Sequence, residues 1–319
     1  MNLLIKEKNI ALKMKGKSLL SVNDLNVEEI YEIIDLSFDL KEKQLSGIPH
    51  KMLEGKTLGM IFAKPSTRTR ISFEAGIYQL GGLGMHLSKS DIQLCNSENI
   101  YDTSKVLSRY LNAIMIRTFN HQDIIDFAAY ASIPIINGLT DLLHPCQALT
   151  DIFTIFEKKK KFKGLKLAYV GDGNNVAHSL LHACSKVGID ITIASPIGYE
   201  PNKQIVNNAI RNANYIGSKV EILNDPFEAA CSADIIYTDV WASMGKEFES
   251  EKRKKIFAKF QVNSSLVKNA KPDYLFMHCL PAHRGEEVVN EIADSRNSII
   301  FDQAENRLHV QKAIMALLM

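Results

Sequence analysis

The chain has 319 residues, 46% of them hydrophobic and 23% charged, with 38 Lys and Arg against 36 Asp and Glu. That length suggests two domains with sizeable cores, and a net charge of +2 excludes bulk charge as the driver of binding to nucleic acid or acidic partners. The 5 cysteines are widely spaced and odd in number, without a C-x-x-C pair, which suits reduced cytosolic thiols better than a disulfide framework or zinc site.

The opening "MNLLIKEKNIALKMKGKSLL" intersperses lysines among its apolar residues and lacks the unbroken apolar core of a signal peptide. No later window offers the roughly 18 uninterrupted apolar residues of a membrane span, so the expectation is a soluble, cytoplasmic protein. "VNDLNVEEIYEIIDLSFDLKEKQ" then places Ile30, Ile33, Ile34 and Phe38 on one helical face, with Asp24 as the expected cap. Strand-like runs "TLGMIFA", "AIMIRT" and "IPIING" alternate with helical "ISFEAGIYQL", "NIYDTSKVLSRYL" and "QDIIDFAAYA". Such alternation predicts a parallel α/β sheet.

In "KPSTRTRISFE", Pro65 ends the first strand and Ser66 and Thr67 stand at a helix start. Arg68 and Arg70 fall in the first helical turn, whose partial positive charge disfavours cations by some tenths of a kcal/mol. A bound dianion reverses that penalty, with first-turn N–H groups, two hydroxyls and Arg68 converging on a phosphate. The alternative is that both guanidiniums reach solvent and form surface ion pairs. No Walker A pattern is present, so a nucleoside triphosphate is not indicated. Arg117 follows a buried-looking strand and needs a partner or a ligand. "LLHPCQ" sets His144 before a helix with Pro145 at its first position and Gln147 one turn on. A neutral His144 there donates to a carbonyl oxygen or serves as a plain cap. Lys158 to Lys161 end the same helix, where the macrodipole favours cations; they read as a solvated end near a domain boundary.

A second alternation follows: "LKLAYVGDGNNVAHSLLHACSKVG", "IDITIASP", "KQIVNNAIRNA", "KVEILND" and "ADIIYTDVW". "GDGNN" imitates a dinucleotide fingerprint, but Val176 takes the third glycine position and no acidic residue ends "IDITIASP". A nicotinamide site is therefore set aside, and Asn175 at the turn is instead a candidate to hold a small polar ligand. In "TDVWASMG", Asp239 suits an amine and the backbone near Gly245 a carboxylate, a pair fitting an amino acid; alternatively Trp241 simply covers the core. "MHCLPAHRGEE" sets Cys279 between His278 and His283. Without a second cluster no metal is expected, and Cys279 is a polar or nucleophilic contributor. Leu280-Pro281 is a candidate cis peptide.

"STRTR", "HPCQ", "DVWASMG" and "HCLPA", in this order, resemble the signature set of the aspartate/ornithine carbamoyltransferase family from about Lys15 to the C-terminus, with "SMG" and "HCLP" pointing to its ornithine branch. The resemblance implies an α/β protein of two domains of similar size, each a parallel β-sheet flanked by helices, with the active site in the interdomain cleft. Residues 1–147 would bind carbamoyl phosphate, with helix 304–319 packing back on them, and residues 148–303 would bind ornithine. By motif match, Ser66, Thr67, Arg68 and Thr69 would hold the phosphate, with Arg307 as a further contact. Arg117 and His144 would polarise the carbamoyl carbonyl and Gln147 would hold its amide. Gln93 would come from a neighbouring subunit. Asn175, Asp239, Ser243 and Met244 fall on ornithine-binding positions, and Cys279 and Leu280 where the substrates meet. The family also implies a trimer or multiple of trimers, and neither metal nor cofactor. A related amine substrate such as putrescine or N-acetylornithine, or a non-catalytic ligand-binding paralogue, is the alternative. Residues 1–13 precede the familiar "KGKSLLS" opening and are either a genuine extension or lie upstream of a natural start at Met14.

Overall fold

The computed structural model describes residues 13–88, 99–242 and 249–319. The chain divides into two units, Met1–Phe153 with Glu305–Met319, and Thr154–Ala304.

In the first unit, helix α1 (Val27–Leu45) starts at Asn26 rather than Asp24. The N–H of Glu29 donates to Asn26 Oδ1 at 2.8 Å, and the Asn26 N–H donates to Glu29 Oε2 at 2.9 Å. This reciprocal capping box needs an acidic residue three positions on; Asp24 has Val27 there and lies instead in the tight turn Val22–Asp24. The expected apolar face is present: Ile30, Ile33 and Ile34 are buried, and the Phe38 ring lies 4.5 Å from that of Phe153. The chain then runs β1 (Thr57–Phe62), α2 (Thr67–Gln79), β2 (Leu83–Ser88), α3 (Ile100–Tyr110), β3 (Ala113–Arg117), α4 (His121–Tyr130), β4 (Ile135–Leu139) and α5 (Pro145–Lys159). The four strands form one parallel sheet in the order β2-β1-β3-β4. Every residue of β3 is buried, which is why it reads as an unbroken apolar run ended by Arg117.

The second unit continues through β5 (Lys166–Val170), α6 (Asn175–Val187), β6 (Asp190–Ala194), α7 (Lys203–Ile216), β7 (Val220–Leu223), β8 (Ile235–Thr238), α8 (Ser250–Phe257) and β9 (Leu275–His278). Its parallel sheet has the order β7-β6-β5-β8-β9. Ala168, Val170, Ile236, Phe257 and Phe276 belong to its core. The final helix α9 (Ile300–Leu318) begins in this unit and ends in the first. No described helix is long and apolar enough to cross a membrane.

Each sheet has one point where the connections diverge to opposite sides, between β1 and β3 in the first and between β5 and β8 in the second. Open parallel sheets bind ligands beside the carboxyl ends of the strands at such points. Three loops leave these ends with functional residues: Lys64–Thr69 after β1, Asp172–Asn175 after β5 and Asp239 onward after β8.

Gly173 sits in the turn after β5 because a Cβ there would overlap the backbone nitrogen of Pro201 and the carbonyl carbon of Glu200. Gly173→Ala is expected to destabilise the second unit by about 1–3 kcal/mol in chemical denaturation, since backbone packed on backbone cannot yield as a side chain can. A loss within about 0.5 kcal/mol, as at ordinary surface sites, would contradict this packing.

Candidate active site

Ser66 is the N-cap of α2: its Oγ accepts from the Thr69 N–H at 3.3 Å, and Thr67 is the first helical residue. This register turns Thr69 inward, where it is 1% exposed. Arg117, at the end of β3, donates from NH1 to Thr69 Oγ1 at 3.3 Å. Arg307 on α9 donates from NH2 to the same oxygen at 3.0 Å and from NH1 to Gln147 Oε1 at 2.8 Å. Gln147 in turn donates to Asp151 Oδ1 at 2.8 Å. With its amide turned to suit its neighbours, Gln311 accepts from Arg307 Nε and NH2 at 3.1 and 3.0 Å and donates to Ser72 Oγ at 2.6 Å. The fold thus assembles Thr69, Arg117, Gln147 and Arg307 from four separate elements.

His144 is buried beside this cluster. Burial above all, and then the positive charges of Arg307, Arg117, Lys64 and Arg68, hold its pKa well below the ordinary 6.5. A neutral imidazole offers one N–H donor and one acceptor, so it can hydrogen-bond a carbonyl oxygen without adding to the local charge. Lys64 is buried as well, with Nζ 4.3 Å from the centre of the Phe119 ring. A lysine before a proline has no distinguishing signature, and only its burial marks it. The two first-turn arginines differ in their surroundings. Arg70 Nε donates to Glu74 Oε1 at 2.9 Å in an exposed i,i+4 pair, the surface alternative raised above. Arg68 is also exposed, but its charge reaches His144.

In the second unit, Asn174 links the turn to its surroundings. Its Oδ1 accepts from the N–H groups of Val176 and Ala177 at 2.9 and 3.2 Å, capping α6, and from the Tyr169 hydroxyl at 3.3 Å. Its Nδ2 donates to Asp239 Oδ2 at 2.8 Å. The other Asp239 oxygen accepts from the Cys279 thiol at 3.1 Å. The geometry therefore gives these links to Asn174, while Asn175 occupies the first turn of α6, half-buried. Burial, reinforced by the negative charge of Asp239, Asp172 and Glu287, keeps the Tyr169 phenol well above its usual range, so it remains a donor. Trp241 is buried, its ring 6.0 Å from that of Phe257, so it does cover the core.

The ligand atoms of Asp239, His278 and Cys279 lie within 4.8 Å of one another. However, the Leu280 N–H donates to His278 Nδ1 at 2.9 Å, and Nε2 faces Glu287 Oε1 at 3.2 Å. With the Nδ1 lone pair so engaged and Nε2 presenting its hydrogen, the imidazole is built to hold the backbone, not to ligate a metal. Leu280 has φ 59°, a left-handed conformation that costs a residue with a side chain about 1–3 kcal/mol and is commonest at functional sites. The Leu280-Pro281 peptide is cis, as its sequence suggested. Gln93, Ser243 and Met244 lie outside the described residues.

Fold and site together define a two-unit α/β protein with a buried cationic cluster in one unit and an amide–carboxylate–thiol cluster in the other. Residues 17–157 match the family described as aspartate/ornithine carbamoyltransferase, carbamoyl-P binding domain, and residues 163–318 its Asp/Orn binding domain. The chain belongs to the aspartate/ornithine carbamoyltransferase family. It is 57% identical over 310 residues to the ornithine carbamoyltransferase of Thermococcus kodakarensis, covering 97% of this chain and 98% of that protein. It is 56% identical to that of Pyrococcus furiosus, described as anabolic, with the same coverage. The solved Pyrococcus furiosus enzyme superimposes with a TM-score of 0.94, covering 96% of this chain and 98% of that one. The Giardia lamblia enzyme, 31% identical, still gives 0.86, covering 94% of this chain and 97% of that one.

His144 should keep a neutral ring in 15N NMR as the pH is lowered through the ordinary 6.5, because burial and then its cationic neighbours oppose protonation. Titration of its ring near the ordinary 6.5 would contradict the site's electrostatics.

Proposed function

We propose that the chain is an ornithine carbamoyltransferase, moving the carbamoyl group of carbamoyl phosphate to the δ-amine of L-ornithine to give L-citrulline and phosphate. The observation carrying this reading is the convergence of Arg117 and Arg307 on Thr69 beside a buried His144 held neutral. In the proposed arrangement Ser66, Thr67, Arg68 and Thr69 hold the phosphate. The Thr69 oxygen accepts from both guanidiniums, which leaves its own hydrogen to point at a phosphate oxygen. Gln147 binds the carbamoyl amide, and Arg307 fixes both Gln147 and the phosphate-binding turn.

Chemically, the deprotonated δ-amine attacks the carbamoyl carbon and negative charge builds on the carbonyl oxygen. Arg117 and the His144 N–H donate to that oxygen. The C–O bond to phosphate then breaks; phosphate leaves with the electron pair and takes up the proton that the former amine nitrogen gives up, moving toward the N-terminus of α2 and Arg68, where positive charge stabilises it. Loss of one donor to such an oxyanion typically costs about 100–1000-fold in rate. Positioning contributes the rest, since amine and carbonyl carbon must be held about 3–3.5 Å apart. Asp239, tied to Asn174 and Cys279, and Asn175 bind ornithine together with Ser243 and Met244; Cys279 and Leu280 line the reacting groups. Gln93 enters a neighbouring subunit's site in a trimer or multiple of trimers. A role in arginine metabolism and a cytoplasmic setting complete the proposal, supported by the relative described as anabolic and by the 5 widely spaced cysteines without a C-x-x-C pair.

Purified protein supplied with carbamoyl phosphate and L-ornithine should form citrulline, with putrescine and N-acetylornithine assayed in parallel. Citrulline at background from folded protein, or preference for another amine, would refute the assignment. Arg68→Ala should raise the KM for carbamoyl phosphate about 10–100-fold, as expected for one charge-assisted contact to phosphate. Unchanged saturation by carbamoyl phosphate would remove Arg68 from the site.

A further inference from the structure

Arg253, on α8, has no part in the contacts described so far, yet it is 3% exposed. Its NH1 donates to the carbonyl oxygen of Trp241 at 2.8 Å and forms an ion pair with Asp172 Oδ2 at 2.9 Å. Its Nε donates to Glu249 Oε2 at 2.9 Å. The guanidinium also lies over the Tyr199 ring, 4.9 Å from its centre. Asp172 stands two residues before Asn174 in the turn after β5, and Trp241 two residues after Asp239 in the segment after β8. One buried guanidinium therefore ties together the two segments whose side chains meet in the Asn174–Asp239 hydrogen bond. It also holds Trp241 and Glu249, the residues flanking the stretch that carries Ser243 and Met244.

A role in stability alone explains this arrangement poorly. Buried ion pairs are often no better than well-packed apolar residues, because desolvation offsets their attraction. Their geometry, however, is directional, and the planar fork of arginine fixes several acceptors at set angles. An apolar residue at position 253 would fill the same space without aligning the Asp172 turn against the Trp241 carbonyl.

We propose that Arg253 is a positioning residue for the amino-acid substrate, holding Asp239 in register with the Asn174 turn. This deepens the ornithine assignment above and rests on it. The Arg253 partners Asp172, Tyr199, Trp241 and Glu249 all lie in the second unit, so the effect of its loss falls on the amino-acid substrate.

The test uses full-length Arg253→Gln, Arg253→Lys and the isosteric Asp172→Asn. Arg253→Gln and Asp172→Asn should raise the KM for L-ornithine about tenfold or more while the KM for carbamoyl phosphate stays within about twofold, the pattern of a misplaced binding group. Arg253→Lys should not restore the ornithine KM, because a point-charge ammonium cannot reproduce the fork. In the absence of substrates, amide hydrogen exchange at residues 239–241 should accelerate about tenfold in the Gln and Asn variants, reporting local loosening. Equal rises in both KM values, or unchanged exchange, would overturn the proposal. If Arg253→Gln does not fold, Asp172→Asn decides the same question. If the wild-type chain makes no citrulline, the functional reading fails, while the exchange measurement still decides the positioning role.

Discussion

Two guanidiniums donating to one hydroxyl oxygen set the terms for the rest of the first unit. Arg117 and Arg307 approach Thr69 Oγ1 at 3.3 and 3.0 Å, and both are nearly inaccessible to water. Two unit charges about 6 Å apart repel by about 3 kcal/mol at an effective dielectric of about 20, so such a pair is costly in an otherwise apolar interior. The oxygens of Thr69, Gln147 and Gln311 to which these guanidiniums donate are neutral. Positive potential is thereby retained. Burial above all, and then this positive charge, keeps His144 neutral, and the same charge favours a dianion at this place. The N-terminus of α2 adds partial charge of the same sign.

Sheet topology explains why these groups meet. Side chains at adjacent strand ends face one crevice wherever the connections diverge, and both units use that geometry. In the first, the first turn of α2 after β1 and the last residue of β3 furnish Thr69 and Arg117; in the second, the loops after β5 and β8 furnish Asn174 and Asp239. Rigid parallel strands set the backbone positions. Side-chain orientation is then fixed locally, by the Asn174 cap, by His278 holding the Leu280 N–H, and by Arg253 joining Asp172 to Trp241.

The elements legible in the sequence were those with a strong physical signature. Strands β1, β3 and β4 are buried on both faces and so read as apolar runs, and α1 shows its Ile30–Ile34 stripe. Strand β2 left no such trace: it is an edge strand whose Leu83 and Met85 remain exposed and whose sequence is broken by glycine. Asp24 and Asn26 both have capping side chains, and only the position of Glu29 decides between them. At the site, the motifs drew attention to the right loops. Asn174 and its neighbour Asn175, the expected ornithine contact, are chemically alike, and the register of α6 alone gives the Asp239 hydrogen bond to Asn174. Lys64 and Arg253 were invisible because their significance is their burial among partners distant in sequence, which spacing cannot convey.

Calorimetric titration of the protein with inorganic phosphate, with no ornithine present, tests most directly whether the Arg117–Thr69–Arg307 cluster is an anion site. The account predicts one saturable phosphate per chain, with affinity falling about tenfold or more in Arg307→Gln, as expected for loss of a buried charge-assisted contact. Absence of saturable binding, or equal affinity in the variant, would contradict it.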